Sequence, residues 1–594
     1  MNKEIRNCQN CHRDFTIEPE DFQFYEKIKV PAPTFCSECR FQRRMTFRSG
    51  RRLYKRKVEF SEKEVFSPFP PEILNKVMHE DYWWSDKWGP MEYGRSYDFK
   101  RPFFDQFREL QLAVPIPHRR VLNGVNSEYC ENSVGIKNCY LVFNGGFTEN
   151  SLYSESINNC KECVDGLKIE KCELCYELFN CQRCFKTIFS AHCTDCVDVA
   201  FSVDLIGCQN CFGCVGLRNK SYYIFNKPHI KEEYFKIIEA YNLDSYKTVS
   251  ELREKVAEIA KQRPVKFFRG QRNVNVSGDY LDRCKNVRNS FYSCDLEDCA
   301  HCQLILYAKS ADCMDISVAG GELCYELQEA GGYEVKFSWI CISGYALKIS
   351  GFFSLSYCMY CFGGCSNLFG CIGLRDKQYC IFNKQYSKEE YEKLVPKIIE
   401  HMNIMPYVDK GGRAYRYGEF FPSDFSPLPY NETWAYDYFP LTQETAKESG
   451  MWWRYKEQPV LEVTKNAKDL ADDIKKIDDS IMNERIGCAH QGACNEGCTI
   501  VFRIILAFYR KLNLPLPRLC FNCRHAARAK HRNPLKLWRR KCNCFGLKSE
   551  NGVYQNSANH FHSFNHCPNE FETSYALERK EIVYCEACYN AEVV

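Results

Sequence analysis

Asn-Cys recurs at Asn138-Cys139, Asn159-Cys160 and Asn180-Cys181, each step being 21 residues. The same step links Cys163 to Cys184, Cys175 to Cys196, and Cys172 to Cys193 to Cys214. A fixed period of this size means that one supersecondary unit stacks on its neighbours. β-formers and turn signals crowd the repeat, as in Tyr140-Leu-Val-Phe143, Tyr176-Glu-Leu-Phe179 and Ile188-Phe189. Each 21-residue unit therefore reads as one rung of a β-helix, with equivalent side chains about 4.8 Å apart in adjacent rungs. On this reading Asn over Asn forms a hydrogen-bonded ladder, and Cys over Cys fills a narrow interior with a small apolar group.

The unit then returns. Phe212-Gly-Cys-Val-Gly-Leu-Arg218 reappears as Phe369-Gly-Cys-Ile-Gly-Leu-Arg375 with an offset of 157, and Glu173-Leu-Cys-Tyr-Glu-Leu178 as Glu322-Leu-Cys-Tyr-Glu-Leu327 with an offset of 149. This is a tandem duplication of solenoid plus capping helix. Helix formers at helical spacing from Glu232 to Arg263 supply the first helix, and Ser387-x-x-Glu390 is a capping box for the second. The second copy is less regular: Cys302 to Cys324 is 22 residues and Cys294 to Cys313 is 19. The fold class is thus mainly β with α, a duplicated solenoid flanked by cysteine modules. The expected order is a zinc module with a basic helix at 1–57, an aromatic collar at 58–121, solenoid copy one at 122–228, and its capping helix at 229–265. Copy two follows at 266–385, with its helix at 386–403, a collar and an amphipathic helix at 404–485, and zinc modules at 486–545 and 546–594. The aromatic, proline-punctuated collars fit either a packed joint or a stacking surface for bases.

The 39 cysteines occur mostly as CxxC pairs in a long chain, which favours thiolate–metal chemistry in a reducing compartment over a secreted disulfide scaffold. The first eight residues have no apolar core, and the most apolar run, Thr499 to Tyr509, is too short to span a bilayer and contains Arg503. The chain reads as cytoplasmic. A net charge of +4 gives no global bias toward nucleic acid, so local charge must carry that argument.

Cys8-x2-Cys11 and Cys36-x2-Cys39 suit a closed tetrahedral Zn2+ site of four thiolates. Phe15 and Ile17 alternate as in a hairpin, and the second pair opens a helix with Arg40, Arg44 and Arg48 on one face. Knuckle, hairpin and helix together resemble the treble-clef group of zinc folds. The pattern recurs as Cys494-x3-Cys498 with Cys520-x2-Cys523, followed by Arg524, Arg528 and Arg532 at the same spacing. A third module keeps Cys567 and Cys585-x2-Cys588 but lacks one ligand; Cys544, Cys542, His562 and His566 are the candidates, with Cys544 preferred. About three structural zinc ions are expected. The two arginine faces are either solvated helix surfaces or contacts for the phosphates of RNA or DNA.

Val30-Pro-Ala-Pro33, Cys36-x2-Cys39-Arg40, Trp83-Trp84-Ser-Asp86, Phe212-Gly-Cys-Val-Gly-Leu-Arg218 and Tyr584-Cys-Glu-Ala-Cys588 resemble a family of multi-zinc-ribbon, cysteine-rich repeat proteins from uncultured bacteria. The resemblance implies an architecture and carries over no activity.

Inside copy one, Cys160, Cys163, Cys181 and Cys184 form one stacked quartet of CxxC pairs, and Cys172, Cys175, Cys193 and Cys196 another. They are either buried ladders or extra metal sites; residues i and i+3 of a straight strand point apart, so convergence needs a corner of the coil. No HExxH, phosphate-cradling glycine loop or GxSxG is present, nor His-x-Glu followed by CxxC. The expectation is a zinc-binding, non-enzymatic scaffold that touches nucleic acid through its basic helices. The alternatives are a metal-handling or redox protein using the quartets, and a scaffold for protein partners.

Overall fold

The computed structural model describes residues 2–305, 310–311, 313–315, 324–328, 333–341, 353–455, 462–490 and 499–593. From Asn132 to Phe225 every third residue has φ between 45° and 67°. A left-handed residue turns the chain sharply, and asparagine and aspartate tolerate that region best among residues with a side chain. Here the corner recurs at each triplet, so the coil is square, with four sides of three residues. Parallel bridges fall on all four sides at one spacing: Lys161 with Glu173, Val164 with Tyr176, Leu167 with Phe179 and Glu170 with Gln182.

The turn therefore holds 12 residues and not 21. The residue after each corner points inward, and every cysteine from Cys139 to Cys214 occupies such a position. A step of 21 is seven triplets. It preserves the inward phase but lands on another side of the coil, which is why it recurs in the sequence without being the rung. The asparagine ladder exists at the true spacing: Asn126 Nδ2 donates to Asn138 Oδ1 at 3.1 Å, and Asn138 to Asn150 at 3.0 Å.

The interior of copy one is a column of cysteines with Val142, Ile157, Ile169, Leu178, Val199 and Leu205, all essentially inaccessible. Copy two winds the same way with turns of unequal length. Val276 pairs with Val287, whereas Gly278 pairs with Ser290 across a bulge. At Gly278 φ is 145°, and any Cβ would collide with the Ser290 carbonyl. Each copy ends in an antiparallel hairpin and a helix. After copy one there are two helices, Lys231–Ala240 and Tyr246–Lys261, where the sequence suggested one; Ser245 caps the second by accepting from the Thr248 amide. The helix Lys388–Ile404 carries the expected Ser387/Glu390 capping box.

The amphipathic helix expected over Asn466 to Arg485 is instead three 3-10 turns at Ala467–Asp469, Ile474–Lys476 and Asp479–Asn483. Asp473 and Asp478 accept from the amides of Lys475 and Ser480, and such local bonds compete with a continuous helix.

The chain forms two compact units. One comprises Met1–Arg119, Phe268–Arg454 and Leu535–Leu537, the other Arg120–Phe267, Tyr455–Pro534 and Trp538–Val594. The N-terminal module thus belongs with solenoid copy two, and the second and third modules with copy one. In the first unit the collar aromatics are packed: Trp83, Phe103, Phe104 and Phe107 join Tyr357, Phe369, Phe382 and Phe425 in one buried cluster. Among the described residues no helix is long and apolar enough to cross a membrane.

Candidate metal centres

In the first module Cys8 follows the strand Glu4–Asn7, and Cys36 caps the helix Ser37–Met45, placing Cys39 in its first turn. The sulfurs of Cys8, Cys11, Cys36 and Cys39 all lie within 4.8 Å of one another and can hold a metal ion. His12 at φ 56° closes the knuckle, its amide donating to the Cys8 carbonyl at 2.9 Å. Two further N–H groups point at sulfur: the Cys36 amide at Cys8 Sγ (3.3 Å) and Asn10 Nδ2 at Cys39 Sγ (3.2 Å). Such donors stabilise a thiolate.

The second module repeats this geometry with a cysteine that the sequence comparison missed. Cys488 groups with Cys520 and Cys523, and the Cys520 amide donates to Cys488 Sγ at 3.3 Å, as Cys36 does to Cys8. Cys488 follows the strand Ile486–Gly487 as Cys8 follows its own strand, and that was the available signal. Cys494 and Cys498 lie outside the described residues.

In the third module the candidate that gathers with Cys567, Cys585 and Cys588 is Cys542 rather than the preferred Cys544. Cys542, Cys567, Cys585 and Cys588 converge, and the Cys585 amide donates to Cys542 Sγ at 3.2 Å, the same signature a third time. Cys544 instead gathers with His560, His562 and Cys588. Its thiol is lowered to about 6, chiefly through its contact with Cys588. His566 faces Glu550 at 3.6 Å.

The solenoid cysteines behave differently. With a 12-residue turn, Cys160 and Cys163 lie over Cys172 and Cys175, and Cys181 and Cys184 over Cys193 and Cys196, so the quartets read at 21 residues do not exist as stacked pairs. Each thiol is used as a donor to the backbone: Cys160 Sγ to the carbonyls of Asn158 (3.3 Å) and Ile169 (3.6 Å), Cys175 Sγ to those of Glu173 (3.2 Å) and Cys184 (3.6 Å). Serines elsewhere in the same columns do likewise, as Ser190 Oγ does to the Ile188 carbonyl at 2.8 Å. Among the described residues, no three solenoid sulfurs converge as the module sulfurs do.

The arginine faces assigned to phosphate are turned inward. Arg40, Arg44 and Arg48 are at most 3% exposed, and Arg524 and Arg528 at most 6%. Arg40 Nε meets Asp315 at 2.5 Å, Arg43 Nη2 meets Glu326 at 2.5 Å and Glu419 at 3.0 Å, and Arg44 lies 3.5 Å from Asp315. Arg48 covers the Trp434 ring at 4.2 Å. In the second module Arg524 and Arg528 share Asp165 at 2.9 and 3.0 Å, and His525 lies 3.3 Å from Glu155. Arg40 and Arg524 also donate to the carbonyl five residues before them, Phe35 and Leu519. Arg532 is half-buried and donates to the Ala529 carbonyl.

These ionic contacts are buried. Burial alone would lower the pKa of Arg524, but Asp165 raises it well above its ordinary value. Burial pushes Glu326 up to about 7, against the opposing pull of Arg43 and Arg44. A buried charge left without its partner is strongly destabilising, so each helix is fixed to its solenoid by matched charges as well as by apolar contact. No protein-family model matches the chain, and no curated protein matches it.

Proposed function

We propose that this chain is a zinc-binding, non-enzymatic scaffold in which cysteine modules staple the solenoids through buried ion pairs. The observation that carries the reading is the use of the arginines: Arg40, Arg43, Arg44, Arg524 and Arg528 all meet carboxylates within their own unit. Zinc is the proposed ion because soft, closed thiolate sets suit it, and a 2.3 Å Zn–S bond puts tetrahedral sulfurs about 3.8 Å apart. The separations Cys11–Cys36 (3.8 Å), Cys567–Cys588 (3.6 Å) and Cys567–Cys585 (3.9 Å) match that figure. An ion held by four thiolates has no open position for water, so it folds a module and does not catalyse.

Binding of RNA or DNA would need cations that remain outside, and several of these already face carboxylates, as Lys55 does Glu64 and Arg539 does Glu570. The test is an electrophoretic shift assay of zinc-loaded protein with single- and double-stranded RNA and DNA at two salt concentrations. The expected result is no shift. A complex that weakens steeply with salt would overturn the reading, because phosphate neutralisation carries that salt signature.

A further inference from the structure

Cys588 belongs to two ligand sets at once. Its sulfur is 3.6 Å from Cys567 Sγ within the Cys542/Cys567/Cys585/Cys588 set, and 3.3 Å from His562 Nε2 within the Cys544/His560/His562/Cys588 set. We propose that the C-terminal module holds two divalent metal ions bridged by the Cys588 thiolate, the second ion bound by Cys544, His560 and His562.

The histidines carry the argument, because their outer contacts fix which nitrogen is left for a metal. His560 Nε2 lies 3.0 Å from Glu592 Oε1, and both side chains are at most 1% exposed. Glu592 has no proton to offer in that contact: it already accepts from the amides of Ser557 (2.8 Å) and Ala558 (3.2 Å) and from the hydroxyls of Ser557 and Tyr554 (2.9 Å each). The proton of His560 is therefore on Nε2, and Nδ1 presents a lone pair. That Nδ1 is buried and has no hydrogen-bond partner among the described residues. An orphaned acceptor of this kind costs free energy unless something cationic or protic meets it.

His562 is oriented in the mirror sense. Its Nδ1 donates to the Asn565 carbonyl at 2.8 Å, which leaves the Nε2 lone pair directed at Cys588 Sγ. Histidine ligands are held in this way by a carboxylate or carbonyl behind the ring. Asn556 Nδ2 donates to Cys544 Sγ at 3.2 Å and also to the Gly546 carbonyl at 2.6 Å, holding the fourth ligand in place. Two thiolates and two imidazoles form a closed tetrahedral set for zinc. Sharing Cys588 also lowers the charge: five thiolates and two neutral imidazoles on two divalent ions leave a net −1, whereas two separate four-thiolate ions would leave −4.

This inference rests on the reading that the four-cysteine sets bind metal, and elemental analysis of the full-length protein separates the two. With one ion in each of the first two modules and two in the third, about four ions per chain are expected. C544S and H562Q should each lose one ion, and C588S two. If C544S and H562Q lose none while C588S loses one, the bridged pair is wrong and the four-cysteine reading stands; if C588S loses none, both fail. Because C588S can unfold the module, cobalt-loaded wild-type protein supplies a second readout. Two Co2+ ions joined by one sulfur couple magnetically, so the paramagnetic spin count should fall short of the cobalt content by two ions, and H562Q should restore agreement. Full agreement in the wild type overturns the proposal.

Discussion

Arg524 and Asp165, 359 positions apart, meet at 2.9 Å with side chains 5% and 0% exposed. Asp165 is also the sole carboxylate within ion-pair distance of Arg528 among the described contacts. D165N therefore strands two buried guanidinium groups. The expected cost is about 3–5 kcal/mol, read as a shift in the urea midpoint. D195N, which removes the exposed Arg183–Asp195 pair, should cost under about 1 kcal/mol. Equal effects from the two variants would show that the buried pair does not hold the helix.

Ladder cysteines should accept serine. Ser151 already occupies the column of Cys163 and Cys175, and the Cys163 amide donates to its Oγ at 3.1 Å. The double variant C163S/C175S should fold, retain every metal ion, and lose no more than about 1 kcal/mol per site, since the hydroxyl inherits the thiol's carbonyl acceptors. Loss of an ion from this variant would revive the metal reading of the solenoid.

Metal removal should not stay local. The helix Ser37–Met45 begins at Cys36 and ends with Arg43 and Arg44 beside Glu326 and Asp315. Structural zinc supplies on the order of 10–16 kcal/mol to small finger modules. C36S should therefore loosen the helix and leave solenoid carboxylates buried without partners. Hydrogen exchange should rise both in residues 37–45 and in residues 313–315 and 324–328, which carry Asp315 and Glu326. Exchange confined to the module would argue against the clamp.

Acid should act on the first unit through two groups of opposite sign. The Glu80 amide donates to His118 Nδ1 at 3.0 Å, and burial lowers the His118 pKa to about 3. A depressed pKa means that its contribution is complete above about 6.5 and is lost as pH falls toward 3, by up to about 1.4 kcal/mol per pH unit. Glu326, raised to about 7 by burial, contributes fully below about 4.5, and its contribution is lost as pH rises through 7. Between pH 6.5 and 5 the two oppose. Relative to wild type, H118N should gain stability on acidification and E326Q should lose it, as followed by thermal midpoints. Parallel curves for all three proteins would refute both assignments.

What the sequence made legible was local. Cys8, Cys11, Cys36 and Cys39 could be read because two short-range pairs define the site, and the capping box at Ser387 because it closes within one turn. The rung could not be read from the Asn-Cys period, because that pair marks a corner and its inward neighbour, a signal with a true unit of three residues. Cys488 was hidden, and Cys542 stood behind Cys544 among the candidates, because they lie 32 and 43 positions from the amides their sulfurs accept from, with no CxxC spacing to announce them. The arginine faces were visible as faces, but their direction depended on Asp315, 275 positions from Arg40, and on Asp165.

The triplet corner gives the solenoid something like a reading frame. Losing or gaining one or two residues within a side would turn every later inward side chain outward, a frameshift in space, unless a bulge absorbs the difference as the one at Gly278 does in copy two. A slip of three keeps inside and outside correct but rotates all later sides by a quarter turn, carrying Asp165 or its equivalent away from the waiting helix. Only a slip of twelve restores both register and azimuth. In copy one length variation is therefore confined to whole turns or to places where a bulge restores the frame, and the docked arginines set that limit as much as the coil does.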